Sequence, residues 1–304
     1  MSTPDTFLSD RSRGIIFILI SGFCWGFHGI LIKFALGFGV SFLQVFFFEV
    51  VFATLFFGGF AGSFLKTIRP TQKKHWVNLL AVGSSSIGVG YFLFLSFSLG
   101  PVAIGATFMF MYLPVVYGYS LLKKHQTLSL TKVGSISLVL LGAVLTTEIM
   151  QSFKEPGALP AAFTAIFASM CYALVFILTP GTAAYTTAEF RSFAVSGIGL
   201  IGCLVIFAFI PSLWFPIDHN LWQLAGVAVL LGAIGQTLPI ITLMKGIPLT
   251  GASLAGVLAA VELPIAVFSA AILLGESLNL LKLVGVGLVL SGIVLYNLSD
   301  RKRA

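Results

Sequence analysis

Apolar residues run along this chain in long blocks, and polar residues gather in the short stretches between them. Each block is about 20 residues long, enough for a helix rising 1.5 Å per residue to cross a hydrocarbon core roughly 30 Å thick. We therefore predict an all-α integral membrane protein with no soluble domain. Its ten predicted transmembrane helices span 14–36, 40–62, 76–98, 101–122, 128–147, 158–180, 190–212, 221–244, 249–272 and 278–298.

The composition supports this class. Of the 304 residues, 58% are hydrophobic and 9% are charged, whereas a soluble domain carries about 25% charged residues. The first apolar run follows Arg11 and Arg13 but is too long for a signal peptide, so we expect a retained first helix. Three cysteines lie inside predicted spans, and an odd number in that position argues against disulfides and against a metal site. We expect neither a metal nor a cofactor.

The two halves of the chain repeat each other at a fixed spacing. Leu113-Pro114 matches Leu263-Pro264 at an offset of 150 (264 − 114), and Gly142 matches Gly292 at the same offset. This predicts one repeat in residues 1–150 and a second in residues 151–304, each with five spans. Because five is odd, the second repeat must insert upside down, which predicts two inverted five-helix repeats. Duplicated halves of this kind are typical of secondary transporters.

The basic residues predict the orientation in the membrane. If the N-terminus is cytoplasmic, 14 of the 17 lysines and arginines fall in cytoplasmic segments. Only Lys33, Lys154 and Lys282 fall in segments on the outer side of the membrane. This asymmetry follows the positive-inside rule. We therefore expect a multi-pass protein of the cell (inner) membrane with both termini cytoplasmic. The net charge of +7 then requires no nucleic acid or other acidic partner.

Two stretches carry a family resemblance: "SGFCWGFHGILIK" at 21–33, and "VELPIAVFSAAILLGESLNLLKLVGVGLVLSGIVL" at 261–295. With the ten spans and two repeats, they resemble the EamA-type members of the drug/metabolite transporter superfamily. The resemblance implies a ten-helix carrier of small metabolites, amino acids or drugs that works by alternating access. It favours export of an amino acid or related compound. The chain departs from the family at Glu49, where members commonly carry an arginine.

Two carboxylates inside predicted spans are candidate functional groups. Glu49 lies in the second span and Glu262 in the ninth. A charged side chain at the centre of a membrane helix costs about 2.5–3.5 kcal/mol, so such residues are rare without a role. Each carboxylate is consistent with a proton-coupling or substrate-ammonium site, and each is also consistent with a structural carboxyl bonded to a neighbouring helix. Protons are therefore a candidate coupling ion.

Other polar and aromatic residues inside the spans predict a cavity. Trp25 and His28 share one face of the first span with Ser21. We expect a binding site between spans one, three, four, six, eight and nine, although packing would also explain each residue singly. Its further candidate residues are Tyr91, Tyr112, Tyr172, Gln236 and Glu262. Pro114 and Pro264 interrupt spans four and nine as hinges or fixed kinks.

The leading functional interpretation is a secondary carrier whose partners are a small-molecule substrate and the lipid bilayer, with no obligate protein partner. Uptake or exchange by the same fold is the alternative to export. The chain has no phosphate-binding G-x-x-x-x-G-K-[ST] loop and no constellation of nucleophile, base or metal ligands. We therefore do not expect an enzyme. A channel stays open as a further class.

Overall fold

A computed structural model describes residues 9–59, 72–210 and 221–301, with side chains in the last range from residue 225 onward. In these ranges ten helices are long and apolar enough to span a membrane, which confirms the prediction. They are α1 (Asp10–Leu36), α2 (Phe42–Gly59), α3 (Lys73–Leu99), α4 (Val102–Leu122), α5 (Leu130–Thr147), α6 (Ala158–Ala183), α7 (Ala188–Phe209), α8 (Ala225–Thr250), α9 (Ala252–Leu274) and α10 (Leu280–Arg301). The predicted ends of spans two and seven lie outside the described residues, as do Lys66, Arg69, Lys302 and Arg303.

The start of α1 and the end of α10 lie at the same end of the bundle. We call the end where α1 begins and α10 ends the terminal face, and the other end the opposite face. At the terminal face, Arg11 Nη2 lies 3.1 Å from Asp300 Oδ2. The ammonium group of Lys132, at the start of α5, lies 2.5 Å from the other oxygen of the same carboxylate. One carboxylate therefore ties α10 to both α1 and α5.

Helices α4 and α9 are each broken into two pieces. The pieces are α4a (Val102–Met109) and α4b (Tyr112–Leu122), and α9a (Ala252–Ala259) and α9b (Glu262–Leu274). Pro114 and Pro264 are each the third residue of the second piece, and a proline has no N–H to bond the carbonyl four residues earlier. The Phe110 carbonyl instead accepts from the Leu113 N–H at 3.0 Å, and the equivalent bond in α9 is 3.1 Å. Both breaks therefore precede the prolines, at equivalent places in the repeats.

The packing of α5 on α10 reflects the inverted repeat directly. A Cβ placed on Gly142 would lie 2.6 Å from the Gly285 carbonyl oxygen, so the two backbones touch. Adding 150 to 142 and subtracting 150 from 285 gives the pair Gly292 and Ser135. A Cβ on Gly292 would likewise lie 2.6 Å from the Ser135 carbonyl oxygen. Reciprocal contacts of this kind are the property of a twofold arrangement. The fold is therefore two inverted five-helix repeats, as predicted.

The two repeats interlock. Helix α1 packs on α8 and α9 of the second repeat, and its counterpart α6 packs on α3 and α4 of the first. Small residues allow the close approach: the backbone of Gly26 lies against Ile265, and that of Gly88 lies against Cys171. Any space between these helices is consequently walled by both repeats.

Candidate functional site

A cavity of about 660 Å³ runs from the middle of the bundle to the opposite face. Trp25 and Met244 line its inner part, and Lys33 and Glu276 line its mouth. The volume lies within the range of roughly 300–1,000 Å³ that is usual for small-molecule sites. Five residues predicted for the site line this cavity: Trp25, His28, Tyr172, Gln236 and Glu262.

The walls also include α2 and α7, which are not among the six spans expected to form the site. Phe46 of α2 and Val195 of α7 line the cavity, together with residues from α1, α3, α4a, α6, α8 and α9b. The prediction of six contributing spans was therefore incomplete. Helices α2 and α7 contribute almost entirely apolar or small side chains to the wall. Such residues carry no signal in the sequence that distinguishes a cavity wall from ordinary packing.

A buried polar cluster stands behind the cavity wall. The Glu49 side chain is fully buried and does not line the cavity. Its Oε1 atom is in hydrogen-bond contact with His28 Nε2, and its Oε2 atom accepts from Gln236 Nε2 at 3.0 Å. Both carboxylate oxygens therefore have partners, which is how a carboxylate is accommodated inside a membrane helix. Glu49 fixes the positions of two side chains that do line the cavity.

A π-helical segment in α8, Leu231–Thr237, shapes this cluster. Within it, the Gly235 carbonyl accepts a hydrogen bond of 2.9 Å from Trp25 Nε1. A Cβ on Gly235 would lie 2.8 Å from the His28 ring, so only glycine lets α1 approach so closely. Segments of π-helix are frequent at functional sites. The sequence analysis did not predict this segment. Gly232 and Gly235 are the residues that could have indicated a close helix contact here.

Glu262 occupies a different environment from Glu49. It is the first residue of α9b and lines the cavity. Within the described part of the chain, no side chain forms a hydrogen bond or ion pair with it. The N-terminus of a helix carries a partial positive charge that favours a carboxylate at this position. Of the two intramembrane carboxylates, Glu262 is the one that a solute in the cavity can reach.

The three tyrosines predicted for the site differ in placement. Tyr172 lines the cavity, and its buried hydroxyl has no hydrogen-bond partner. Tyr112 does not line the cavity: it is 1% exposed, and its hydroxyl donates to the Gly256 carbonyl at 2.8 Å. Tyr91 packs beside Phe92 and also lies away from the cavity. The expectation that Tyr91 and Tyr112 line the cavity is thus corrected. Sequence places a residue on a helix but does not fix which neighbour covers it.

The mouth of the cavity carries an exposed ion pair. Lys33 Nζ lies 3.4 Å from Glu276 Oε1, and the two side chains are 61% and 44% exposed. Lys33 lies in the last turn of α1, where a long side chain can carry its charge to the membrane surface. Lys33 is also the only lysine or arginine among the described residues that line the cavity.

Metal chemistry has no candidate centre in the described ranges, where no group of three or more histidine, cysteine, aspartate or glutamate residues could hold an ion. The three cysteines are free, and Cys24 and Cys203 are buried.

Comparison with known proteins agrees with this architecture. The model of the EamA-like transporter family matches residues 12–148 and 159–298, one copy for each repeat. The search of curated protein sequences found no match. Among solved structures, one described as "Crystal structure of protein" is similar over 96% of this chain and 99% of its own, with a TM-score of 0.79 and 14% identity. That identity supports a shared fold alone. The family match covers most of both repeats, and the chain therefore belongs to the EamA-like transporter family, whose members are membrane transporters.

Proposed function

We propose that this transporter moves a small solute, an amino acid or a related compound, by alternating access through the cavity. In this proposal it is an exporter of the cell (inner) membrane. Its terminal face lies in the cytoplasm, because the basic residues are concentrated in the segments at that face. The cavity of this conformation would then open to the outside.

The observation that carries the proposal is the unequal closure of two equivalent contacts. At the terminal face α4b packs on α9a, where Tyr112 bonds the Gly256 carbonyl and the hydroxyls of Ser120 and Ser253 lie 2.8 Å apart. The offset of 150 relates Tyr112 and Gly256 to Glu262 and Ala106. Those two residues line the open cavity between α9b and α4a. Of two equivalent pairs of half-helices, α4b with α9a is therefore closed and α4a with α9b is separated.

Inverted repeats can exchange such conformations, because each repeat can adopt the arrangement that the other shows. In the exchanged state Glu262 would approach Ala106, and Ala270 would approach Ala103. At the terminal face, Tyr112 would leave Gly256 and open a path from the same central site. The breaks before Pro114 and Pro264 are the places where α4 and α9 would bend.

A test that needs no known solute uses one cysteine in each repeat. Val116 and Ala266 are equivalent (116 + 150 = 266); Val116 is 1% exposed, and Ala266 lines the cavity. The background is the variant in which Cys24, Cys171 and Cys203 are alanine. A membrane-impermeant thiol reagent is added to one side of oriented vesicles. We expect the cysteine of Ala266→Cys to react from the opposite-face side only, and that of Val116→Cys from the terminal-face side only.

Two results would contradict alternating access. A Val116→Cys variant that reacts from neither side would make the cavity a closed-ended pocket. Two variants that both react from the same side would favour a continuous pore, which is the channel alternative. The variant without cysteines, treated identically, sets the background labelling.

Orientation and direction have their own tests. Two reporters are fused in turn after the last residue, one active only in the cytoplasm and one active only on the outer side of the membrane. We expect activity from the cytoplasmic reporter alone. Once a solute is known, its flux separates a carrier from a channel. A carrier's flux saturates with solute concentration and can be driven by an opposing gradient of the same solute. Release from preloaded cells, compared with accumulation, would separate export from uptake.

A further inference from the structure

We infer that the cavity selects its solute through an ammonium group that Glu262 binds beside the rings of Trp25 and Tyr172. This inference rests on the proposed function and narrows its solute to amines with an apolar body.

The charges of the cavity favour a cation. Glu262 offers an unpaired carboxylate, while the only lysine or arginine of the described lining is Lys33, which stands at the mouth and pairs with Glu276. His28 is already bonded to Glu49. An organic anion in the inner part of the cavity would consequently lack a cationic partner. Burying an unpaired charge away from water is costly, so the cavity disfavours acids.

The aromatic side chains favour the same class. The rings of Trp25 and Tyr172 meet edge to face, with centroids 6.0 Å apart. Glu262 begins α9b against this part of α1, where a Cβ on Gly26 would lie 3.0 Å from the Glu262 carbonyl oxygen. Ring faces attract cations, and aromatic side chains are a recurring feature of ammonium-binding sites.

A buried hydroxyl without a partner completes the arrangement. The Tyr172 side chain lines the cavity, the residue is 5% exposed, and its hydroxyl has no hydrogen-bond partner. Buried polar groups are normally bonded, so an unpaired hydroxyl on a cavity-lining residue is a candidate partner for a ligand or water. An ammonium group has three N–H donors and can bond a carboxylate and a hydroxyl together.

The rest of the wall determines the body of the solute. Val175, Leu243 and Met244 line the inner part of the cavity, and they offer contact but no hydrogen bond to a second polar group. A zwitterionic amino acid would bring a carboxylate into a cavity whose described lining carries no lysine or arginine apart from Lys33 at the mouth. The structure therefore favours a simple amine over the corresponding amino acid.

Four probes built on one 2-phenylethyl skeleton test the inference: phenethylamine, phenylalanine, 3-phenylpropionate and 2-phenylethanol. They share a phenyl ring and differ in charge. Binding to the purified full-length protein is measured by calorimetry at one pH and ionic strength. We expect phenethylamine to bind at least tenfold more tightly than 3-phenylpropionate, with phenylalanine weaker than phenethylamine.

Matched variants then assign the contacts. Glu262→Gln should weaken phenethylamine at least tenfold and leave 2-phenylethanol within twofold. Glu276→Gln removes the carboxylate at the mouth by the same chemical change and should alter phenethylamine binding less than threefold. Tyr172→Phe, which keeps the ring, should lose less affinity for phenethylamine than Tyr172→Leu.

The outcomes separate this inference from the proposed function. The inference is overturned if 3-phenylpropionate or phenylalanine binds as tightly as phenethylamine, if no amine binds, or if Glu262→Gln leaves amine binding unchanged. None of these results bears on the cysteine labelling at Val116 and Ala266, which needs no solute. Conversely, a protein that binds amines but never exposes the cysteine of Val116→Cys would contradict transport while leaving the site intact.

Discussion

Helices α4 and α9 are packed together at the terminal face and separated at the opposite face, although the two ends are related by the sequence repeat. At the terminal face, Tyr112 and Gly256 are in contact, and the side chains around them are buried. At the opposite face the equivalent residues, Glu262 and Ala106, face a cavity. The equivalent lysines differ as well: Lys132 lies 2.5 Å from Asp300, whereas Lys282 lies 4.0 Å from Glu148, and the position equivalent to Asp300 is Met150.

The two ends of the α4 and α9 pair differ in conformation, whereas the fold of the two repeats is the same. The backbone contacts of α5 with α10 are equal in both directions, as the pairs Gly142–Gly285 and Gly292–Ser135 show. Those two helices also stand apart from the cavity, which they do not line. We therefore expect α5 and α10 to form the constant part of the molecule, while α4 and α9 open one face or the other.

The largest effect is expected from breaking the terminal-face ion pairs. Lys132 is 2% exposed, and Asp300→Asn would leave its ammonium with Gln126 and the Tyr296 ring as partners. Removing one member of a buried charge pair costs about 3–5 kcal/mol. We expect the free energy of unfolding in detergent to fall by about 3 kcal/mol, measured by denaturant titration. A loss below about 1 kcal/mol would mean that this face is not held by its charges.

A smaller effect is expected at the contact of Tyr112 with Gly256. Tyr112→Phe removes one hydrogen bond from the closed terminal face, worth about 1 kcal/mol. The population open at that face should rise about fivefold, and with it the labelling rate of a cysteine at Val116. Tyr172→Phe is the matched control, because it removes a hydroxyl that has no partner. Equal effects of the two changes would show that the bond to Gly256 does not hold the terminal face closed.

The smallest effect is expected at Lys282, the opposite-face counterpart of Lys132. Glu148→Gln weakens the 4.0 Å approach of Lys282, and the two side chains are 29% and 18% exposed. Partly exposed pairs contribute about 0–1 kcal/mol and are screened by salt. Unfolding should change by less than about 1 kcal/mol, and the change should vanish at high salt. A loss equal to that of Asp300→Asn would remove the energetic difference between the faces.

The sequence predicted the fold because its information is local and repeated. Hydropathy marks each span, and the offset of 150 marks the repeat without any knowledge of contacts. The prolines also predicted that α4 and α9 are interrupted. The interruption itself lies at the turn before each proline, since the missing N–H frees the carbonyl four residues earlier.

The site was predictable only in part, because it depends on contacts between distant residues. Glu49, His28 and Gln236 were each candidates, but nothing in the sequence places Glu49 behind the other two. The π-helical segment of α8, which brings Gly235 to Trp25, lies within an ordinary apolar run. Tyr112 and Tyr172 are both intramembrane tyrosines, and only packing decides that one closes a contact and the other lines the cavity.

We expect the two faces to be coupled, so that closing one face opens the other. This coupling is tested by two disulfide pairs at equivalent positions, Ser120→Cys with Ser253→Cys at the terminal face and Ala103→Cys with Ala270→Cys at the opposite face. Each pair is combined with Val116→Cys in the background without native cysteines, and the labelling rate at Val116 is measured from the terminal-face side. We predict that the terminal-face disulfide abolishes labelling and that the opposite-face disulfide increases its rate above that of the reduced protein. If the two disulfides change the rate in the same direction, or if the opposite-face disulfide leaves it unchanged, the two faces are not coupled and the account is wrong.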